Sequence, residues 1–321
     1  MGVTTDEIFG NADGAHPATP GSYGQAPSGY RLPDGTRLGP VRLQIAELGR
    51  SIAYYETTLG MRVLHRDGSS AVLGARHDDD QPLVELRERA GVRSAARRGR
   101  LGLFHFAILL PDRPSLGRFV RYLGEIGASV GAANHLVSES LYLQDPDNLG
   151  IEVYADRPRN TWRRIGRELM MATDPLDFAG LARDAGTEPW TGMPRGTVMG
   201  HVHLHVGDLM AASAFYAEAL GFDRTVWHYP GALFLAAGGY HHHLGTNIWA
   251  GSGAASPTAD DAQLLEWTIE LPDQASLDAV SQHLERGGHR LEWNEAGDTR
   301  SFVTRDPWGM QVRLRSGARS L

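Results

Sequence analysis

Cysteine is absent from the 321 residues of this chain. Without thiols the chain can form neither disulfide bonds nor thiolate metal sites, so a bound metal ion would have to rest on histidine and carboxylate side chains. The cytoplasm is the compartment that this composition favours.

The sequence also lacks a long apolar run and a basic surface charge. No apolar run approaches the roughly 20 residues that a membrane helix needs. The formal net charge of -7 argues against nucleic acid, because phosphates attract a basic face. A hydrophobic content of 41% and a charged content of 21% are ordinary for a globular protein. The length allows two domains with cores of their own.

Residues 1–38 are rich in glycine, proline, alanine, serine and threonine. They lack the basic start followed by an apolar stretch that marks a signal peptide. This segment is predicted to be a flexible N-terminal arm.

An internal repeat organises the rest of the chain. Gly39-Pro-Val-Arg-Leu-Gln-Ile recurs as Gly200-His-Val-His-Leu-His-Val, and His105-Phe-Ala-Ile-Leu-Leu-Pro-Asp recurs as Glu266-Trp-Thr-Ile-Glu-Leu-Pro-Asp. The four units span about 39–90, 101–156, 199–251 and 263–316, and each reads as a strand, an amphipathic helix and about three strands. The predicted fold is therefore α+β, with four βαβββ modules.

These modules suggest a division of the chain into two domains. Modules 1 and 2 would form a first domain over residues 39–156, and modules 3 and 4 a second domain over residues 199–316. Residues 157–198 are predicted to be a linker that includes a helix around Trp162–Leu169. Asp112, Asp208 and Asp273 follow the opening strands of three modules and are expected to cap the next helix.

The segment from His135 to Glu152 carries a second pattern. It places His135, Tyr142 and Glu152 on two neighbouring strands joined by an Asp-Pro turn at Asp145. With the βαβββ repeat, this pattern resembles the vicinal oxygen chelate superfamily, and in particular its two-domain catechol 2,3-dioxygenase-like members. The resemblance implies that the four modules form two curled-sheet domains. It also implies that Glu152 binds iron and that His135 and Tyr142 contact the substrate.

Strand alternation predicts which side chains face the cavity of a curled sheet. Val202 and Leu204 share the apolar face of their strand, so His201 and His203 should face the cavity. The same alternation turns Glu152 to the cavity, and it also assigns His243 there. His203 is expected to line the cavity without taking part in the chemistry.

In the superfamily, two modules build one cup, with ligands on their first and last strands. The corresponding residues are Pro40 and Glu85 in module 1, His105 and Glu152 in module 2, His201 and His243 in module 3, and Glu266 and Arg313 in module 4. Proline and arginine cannot bind a cation. A site between modules 1 and 4 is therefore expected to be degenerate, with Glu85 and Glu266 in ion pairs. Modules 2 and 3 would pair and supply His105, Glu152 and His201, a facial triad suited to non-haem iron.

The resemblance implies an extradiol ring-cleaving dioxygenase that uses Fe(II), with Mn(II) as an alternative, and that acts on a catechol-type diol and O2. His243 is the candidate acid–base residue, because the pKa of an imidazole lies near neutrality, and the choice between His243 and the neighbouring His242 is left open. Tyr142 and His135 would hydrogen-bond the substrate oxygens.

Two other functions remain open for the same fold. One is a glyoxalase-like isomerase or lyase that uses Ni, Zn or Mn, with His243 as a fourth ligand. The other is a small-molecule-binding protein like the bleomycin-resistance proteins. Assembly into a homo-oligomer is also left open.

Overall fold

The structure is a computed structural model that describes residues 2–10, 12–75, 81–96, 98–294 and 300–317. The arm contains α1 (Thr5–Phe9) and β1 (His16–Pro17). Module 1 contains β2 (Arg37–Ile45), α2 (Leu48–Thr57), β3 (Arg62–Asp67), β4 (Ser70–Gly74) and β5 (Pro82–Glu88). Module 2 contains β6 (Gly102–Leu109), α3 (Arg113–Glu125), β7 (Gly131–Asn134), β8 (Ser138–Gln144) and β9 (Gly150–Asp156).

The second half of the chain repeats this order. A connecting segment holds a short 3-10 turn (Arg159–Thr161), β10 (Arg163–Ile165), β11 (Glu168–Leu169) and α4 (Phe178–Asp184). Module 3 contains β12 (Val198–His205), α5 (Leu209–Ala212), a π-helical continuation (Ser213–Ala219), β13 (Asp223–Val226), β14 (Ala232–Ala236) and β15 (Leu244–Asn247). Module 4 contains β16 (Gln263–Leu271), α6 (Gln274–Arg286), β17 (Glu292–Asn294), β18 (Ser301–Arg305) and β19 (Gln311–Ser316). The four predicted βαβββ modules are confirmed.

The modules combine into two curled eight-stranded sheets. The site sheet has the order β13-β14-β15-β12-β6-β9-β8-β7, and the companion sheet has the order β17-β18-β19-β16-β2-β5-β4-β3. Within each module the first strand pairs in parallel with the last, and two modules join through their antiparallel first strands. Module 2 therefore pairs with module 3, and module 1 with module 4. Each sheet thus takes one module from residues 39–156 and one from residues 199–316. The division of the chain into two domains with these bounds stays a prediction.

Alternation of side chains in β12 separates the apolar core from the cavity. Val202 and Leu204 are almost fully buried in the apolar core, while His201 and His203 between them line a cavity on the opposite side. The helices begin at the predicted aspartates. The side chains of Asp112, Asp208 and Asp273 accept hydrogen bonds from backbone N–H groups three residues later.

Two matching hydrogen bonds connect the sheets. Tyr55 of α2 donates to Asp145 after β8 over 3.3 Å, and Tyr216 of the π-helical turn donates to Asp306 after β18 over 2.8 Å. Each aspartate also accepts two backbone N–H groups of its own Asp-Pro turn. A helix of one sheet thus holds a turn of the other, twice over.

The N-terminal arm packs against the rest of the chain, and its flexibility stays a prediction. Its β1 pairs with β10, the Tyr23 hydroxyl donates to the Gly239 carbonyl over 2.5 Å, and Arg31 forms an ion pair with Asp223. A few anchoring side chains among many glycines and prolines decide its placement. The average composition of the arm conceals these contacts.

The prediction of a helix around Trp162–Leu169 is wrong. Apart from the short 3-10 turn before it, this stretch forms the β10–β11 hairpin, which adds β1 to make a three-stranded sheet. Gly166 has a φ of 58° at the turn, a conformation that glycine adopts readily and that interrupts a helix.

The longest helices that the structure describes, α3 and α6, have 13 residues each. None of the described helices could therefore span a bilayer, which requires roughly 20 apolar residues.

The paired tyrosines yield a stability prediction. Replacing Tyr216 by phenylalanine leaves a buried Asp306 oxygen without its donor, and we expect the free energy of unfolding to fall by about 1–3 kcal/mol. Urea denaturation would measure the change. The matched variant is Tyr55→Phe, whose hydrogen bond is longer and whose effect should be smaller. A loss in Tyr216→Phe no larger than in Tyr55→Phe would contradict this account.

Candidate metal centre

Three side chains from three adjacent strands of the site sheet meet at one point. His105 lies on β6, Glu152 on β9 and His201 on β12, and their exposures are 5%, 2% and 2%. The register places both Glu152 and His201 beside Ala107 of the central strand β6. The seam between modules 2 and 3 therefore brings together residues that are distant in sequence.

The ligating atoms of these residues are close enough to share an ion. The Nε2 atoms of His105 and His201 lie 3.0 and 3.1 Å from the same Glu152 oxygen. One ligand atom from each residue lies within 4.8 Å of the others. Among the described residues, this is the one group of three or more histidines and carboxylates with such geometry.

An unpaired nitrogen shows that the residues fit a cation. Nε2 of His105 is buried and lacks a hydrogen-bond partner despite its nearness to Glu152, so its lone pair or proton is not directed at the carboxylate. Two imidazoles and one carboxylate form the donor set that binds divalent iron while leaving coordination positions open. The three residues could therefore hold such an ion.

The protonation states suit a ligand set. Burial raises the pKa of Glu152, but the adjacent His201 and His105 outweigh it and hold this pKa well below its ordinary value. Burial lowers the pKa of His201 to about 4, although Glu152 opposes the shift. At neutral pH the site therefore presents an ionised carboxylate and a neutral imidazole at His201, the forms that bind metals.

The three residues open onto a cavity of about 200 Å³. Its other lining residues include the aromatic side chains Phe104, Tyr229, Phe234 and Trp249. The volume is below the roughly 300–1,000 Å³ of drug-sized pockets. The cavity is therefore suited to a small ring-containing molecule.

Tyr142 and His135 lie together at this cavity. Tyr142 is the cross-strand neighbour of Glu152, and its hydroxyl lies 2.5 Å from Nε2 of His135. Nδ1 of His135 donates to the Ala172 carbonyl over 2.7 Å. Since burial lowers the pKa of His135, the ring is neutral and Nε2 must accept the Tyr142 proton. The free lone pair of the Tyr142 oxygen is then available as an acceptor.

The placement of His243 differs from the prediction. Its Nδ1 accepts the Ala237 N–H over 3.2 Å, its ring contacts Tyr240, and it does not line the cavity. Strand β15 begins only at Leu244. The three histidines before it therefore belong to an irregular turn, where strand alternation does not apply.

His242 takes the place at the cavity instead. It lines the cavity, and its ring centroid lies 4.1 Å from that of His201. Nε2 of His241 donates to Asp156 over 2.9 Å, and the Nδ1 atoms of His241 and His242 lie 2.6 Å apart. Burial, with the neighbouring histidines, holds the pKa of the His242 ring well below its ordinary value.

His203 lines the cavity as expected and is already engaged. The backbone N–H of Trp249 donates to Oδ1 of Asn247, which fixes the amide so that its Nδ2 donates to Nε2 of His203 over 2.9 Å. Phe104 also lines the cavity, although alternation assigns it to the opposite face. A register shift between β6 and β12 after His203 accounts for its position.

The corresponding part of the companion sheet holds ion pairs. Arg313 binds Glu266 through two hydrogen bonds of 2.7 and 2.8 Å, and Arg42 binds Glu85 over 2.8 Å. The predicted degeneracy of this position is confirmed, because the guanidinium groups neutralise the carboxylates where the site sheet has its triad.

The family of the chain follows from its sequence. A family model described as the glyoxalase/bleomycin resistance protein/dioxygenase superfamily matches residues 37–153 and 198–314. The chain belongs to this superfamily. A member from Bacillus subtilis (strain 168), catechol-2,3-dioxygenase, is 44% identical over 276 residues, which cover 85% of this chain and 94% of that protein.

Solved structures share the fold at low sequence identity. A candidate dioxygenase from Bacillus subtilis has a TM-score of 0.60 at 11% identity, over 89% of this chain and 86% of its own. Glyoxalase I from Zea mays has a TM-score of 0.53 at 20% identity, over 88% of this chain and 92% of its own. The same fold thus occurs in proteins with different names.

Metal binding can be tested through single substitutions. We expect the unaltered protein, loaded with iron(II) without air, to retain about one ion per chain, and His105→Ala and His201→Ala to lose most of it, because each removes one of only three ligands. Elemental analysis after desalting measures the content, and circular dichroism verifies folding. His243→Ala is the matched control and should retain the ion. Full retention in both ligand variants would contradict the site.

Proposed function

We propose that this protein is a non-haem iron(II) extradiol dioxygenase that cleaves a catechol-type aromatic diol with O2. The observation that carries the proposal is the convergence of His105, Glu152 and His201 on one point of a small aromatic-lined cavity. The 44% identity to a catechol-2,3-dioxygenase over most of both chains supports the same reaction.

His105, Glu152 and His201 would hold the iron, and we propose Fe(II) rather than Mn(II) because the triad is typical of iron oxygenases. When bound, iron would supply open coordination positions for the diol and O2. The ionised Glu152 would offset one of the two positive charges of a bound iron(II), and the remaining positive charge would favour an ionised diol.

Tyr142 and His135 would orient the diol. Because the Tyr142 proton is directed to His135, the phenol oxygen can accept a hydrogen bond from a substrate hydroxyl. Phe104, Phe234 and Trp249 provide apolar walls for the ring and exclude water around it, which strengthens polar contacts inside the cavity.

His242 is our candidate for the acid–base residue, in place of His243. Its Nδ1 is held by His241, which Asp156 orients, and its Nε2 is the nitrogen that would take up a proton from the diol. The same nitrogen can return that proton to the ring-opened product, a semialdehyde that contains both oxygen atoms of O2.

The glyoxalase-like alternative required His243 as a fourth ligand, and the position of this residue outside the cavity removes the observation that favoured it. Assembly into a homo-oligomer and a cytoplasmic location stay predictions.

Oxygen uptake by the iron-loaded protein tests the function. With catechol we expect stoichiometric uptake and a product that incorporates both atoms of labelled O2. Replacing His242 by asparagine should leave the iron bound and lower kcat by about 10²–10⁴-fold, the usual contribution of a general acid–base residue.

His243→Asn is the control for this substitution, since it changes the next histidine without altering the cavity. It should retain kcat within a few fold. Equal losses in both variants would contradict the role of His242, and an iron-loaded protein that consumes no O2 with catechols would contradict the dioxygenase.

A further inference from the structure

One wall of the cavity comes from the N-terminal end of the chain. Residues 2–9, here named the N-terminal strap, lie across its edge, and Gly2 lines the cavity together with Thr173 and Tyr229. No repeat or motif in the sequence points to this arrangement, because the strap precedes the first module by about 30 residues.

Hydrogen bonds attach the strap to the segment 171–174, which crosses the cavity. The Val3 N–H donates to the Tyr229 hydroxyl over 3.1 Å, and the Val3 carbonyl accepts the Thr173 N–H over 2.7 Å. The backbone N–H and the hydroxyl of Thr5 both donate to the Asp174 carboxylate, over 2.8 and 2.6 Å.

The crossing segment also supports the substrate side of the cavity. The Ala172 carbonyl accepts a hydrogen bond from Nδ1 of His135. The backbone of Asp174 forms two hydrogen bonds of 2.9 Å with the backbone of Asn134 at the end of β7. The strap and the Tyr142–His135 pair therefore rest on the same four residues.

Glycine is required at the tip of the strap. A Cβ atom at Gly2 would lie 2.3 Å from Cγ2 and 2.5 Å from Cβ of Thr173, far inside van der Waals contact. The strap approaches the crossing segment as closely as its backbone allows, and a side chain at position 2 would force the two apart.

The strap is held less firmly than the sheets. No residue of α1 is buried, and Val3 and Ile8 are only partly buried against the cluster around Tyr229 and Met171. A segment with few buried apolar contacts opens at a lower free energy than the core. It can therefore move without unfolding the site sheet.

We propose that the N-terminal strap is a specificity-determining wall of the substrate cavity, which closes it to bulk solvent and limits the size of the ring substituent that a diol may carry. The limit on substituents rests on the proposed function, whereas the closure does not.

Chemical mapping of histidines tests the closure without any catalysis. The metal-free protein is treated with diethyl pyrocarbonate, and peptide mass spectrometry measures the modification rates of the cavity residues His203 and His242 relative to the exposed His65. Deletion of residues 2–9 should raise the relative rates about tenfold, as expected when a local barrier to opening is removed. Unchanged relative rates in a folded variant would overturn the proposal.

A substitution guards against misfolding of the deletion variant. Gly2→Val should displace only the strap and raise the same rates in the same direction, because of the contact with Thr173. Gly124→Ala is the matched control, since a Cβ there meets no atom within 4 Å. Equal rates in Gly2→Val and Gly124→Ala would also overturn the proposal.

Substrate selection tests the second part. We compare kcat/KM for catechol and 4-tert-butylcatechol in the iron-loaded proteins. Removing the strap should raise the ratio in favour of the bulky diol about tenfold or more, the scale at which pocket size discriminates small apolar groups. An unchanged ratio would overturn the limit on substituents. Absence of O2 uptake in the unaltered protein would instead contradict the proposed function, and the histidine mapping would still decide on the closure.

Discussion

The antiparallel pairing of β6 with β12 is the contact on which the site depends. It joins modules 2 and 3, and it places His201 and, through β9, Glu152 on either side of Ala107. A slip of one residue in this register would turn His201 away from the cavity and into the apolar layer, because alternate side chains face opposite sides of a sheet. The large apolar residues between the histidines oppose such a slip.

The convergence of these side chains has an electrostatic cost. An ionised carboxylate and several imidazoles lie in an interior that disfavours charge, and the nearby Glu152 oxygen contacts both ligand rings. Burial keeps His201, His203 and His242 neutral. A divalent cation would relieve this arrangement, because it satisfies the lone pairs that hydrogen bonds leave unused. A function-bearing site commonly departs in this way from the most stable packing.

The companion sheet has the same architecture as the site sheet but different side chains at the corresponding positions. Where the site sheet has two histidines and a glutamate, the companion sheet has arginines that form ion pairs with Glu85 and Glu266. Such a network satisfies its own charges and needs no ion. The Tyr55–Asp145 and Tyr216–Asp306 contacts, by contrast, are retained in both halves, since they connect the sheets whatever each sheet binds.

Much of this was open to prediction from local pattern. The period of two in β12 and the repeated modules predicted the fold class, the cavity face of His201 and Glu152, and the caps at Asp112, Asp208 and Asp273. The resemblance to the superfamily implied the ligand set, and with it the pairing of modules. Local pattern failed where no regular element exists. His242 faces the cavity instead of His243 because the turn before Leu244 has no fixed period. The strap reaches the cavity through hydrogen bonds to residues some 170 positions away in sequence. Side-chain period is a property of neighbouring residues and can be read along the chain, whereas which distant segments meet is decided only when the whole chain packs.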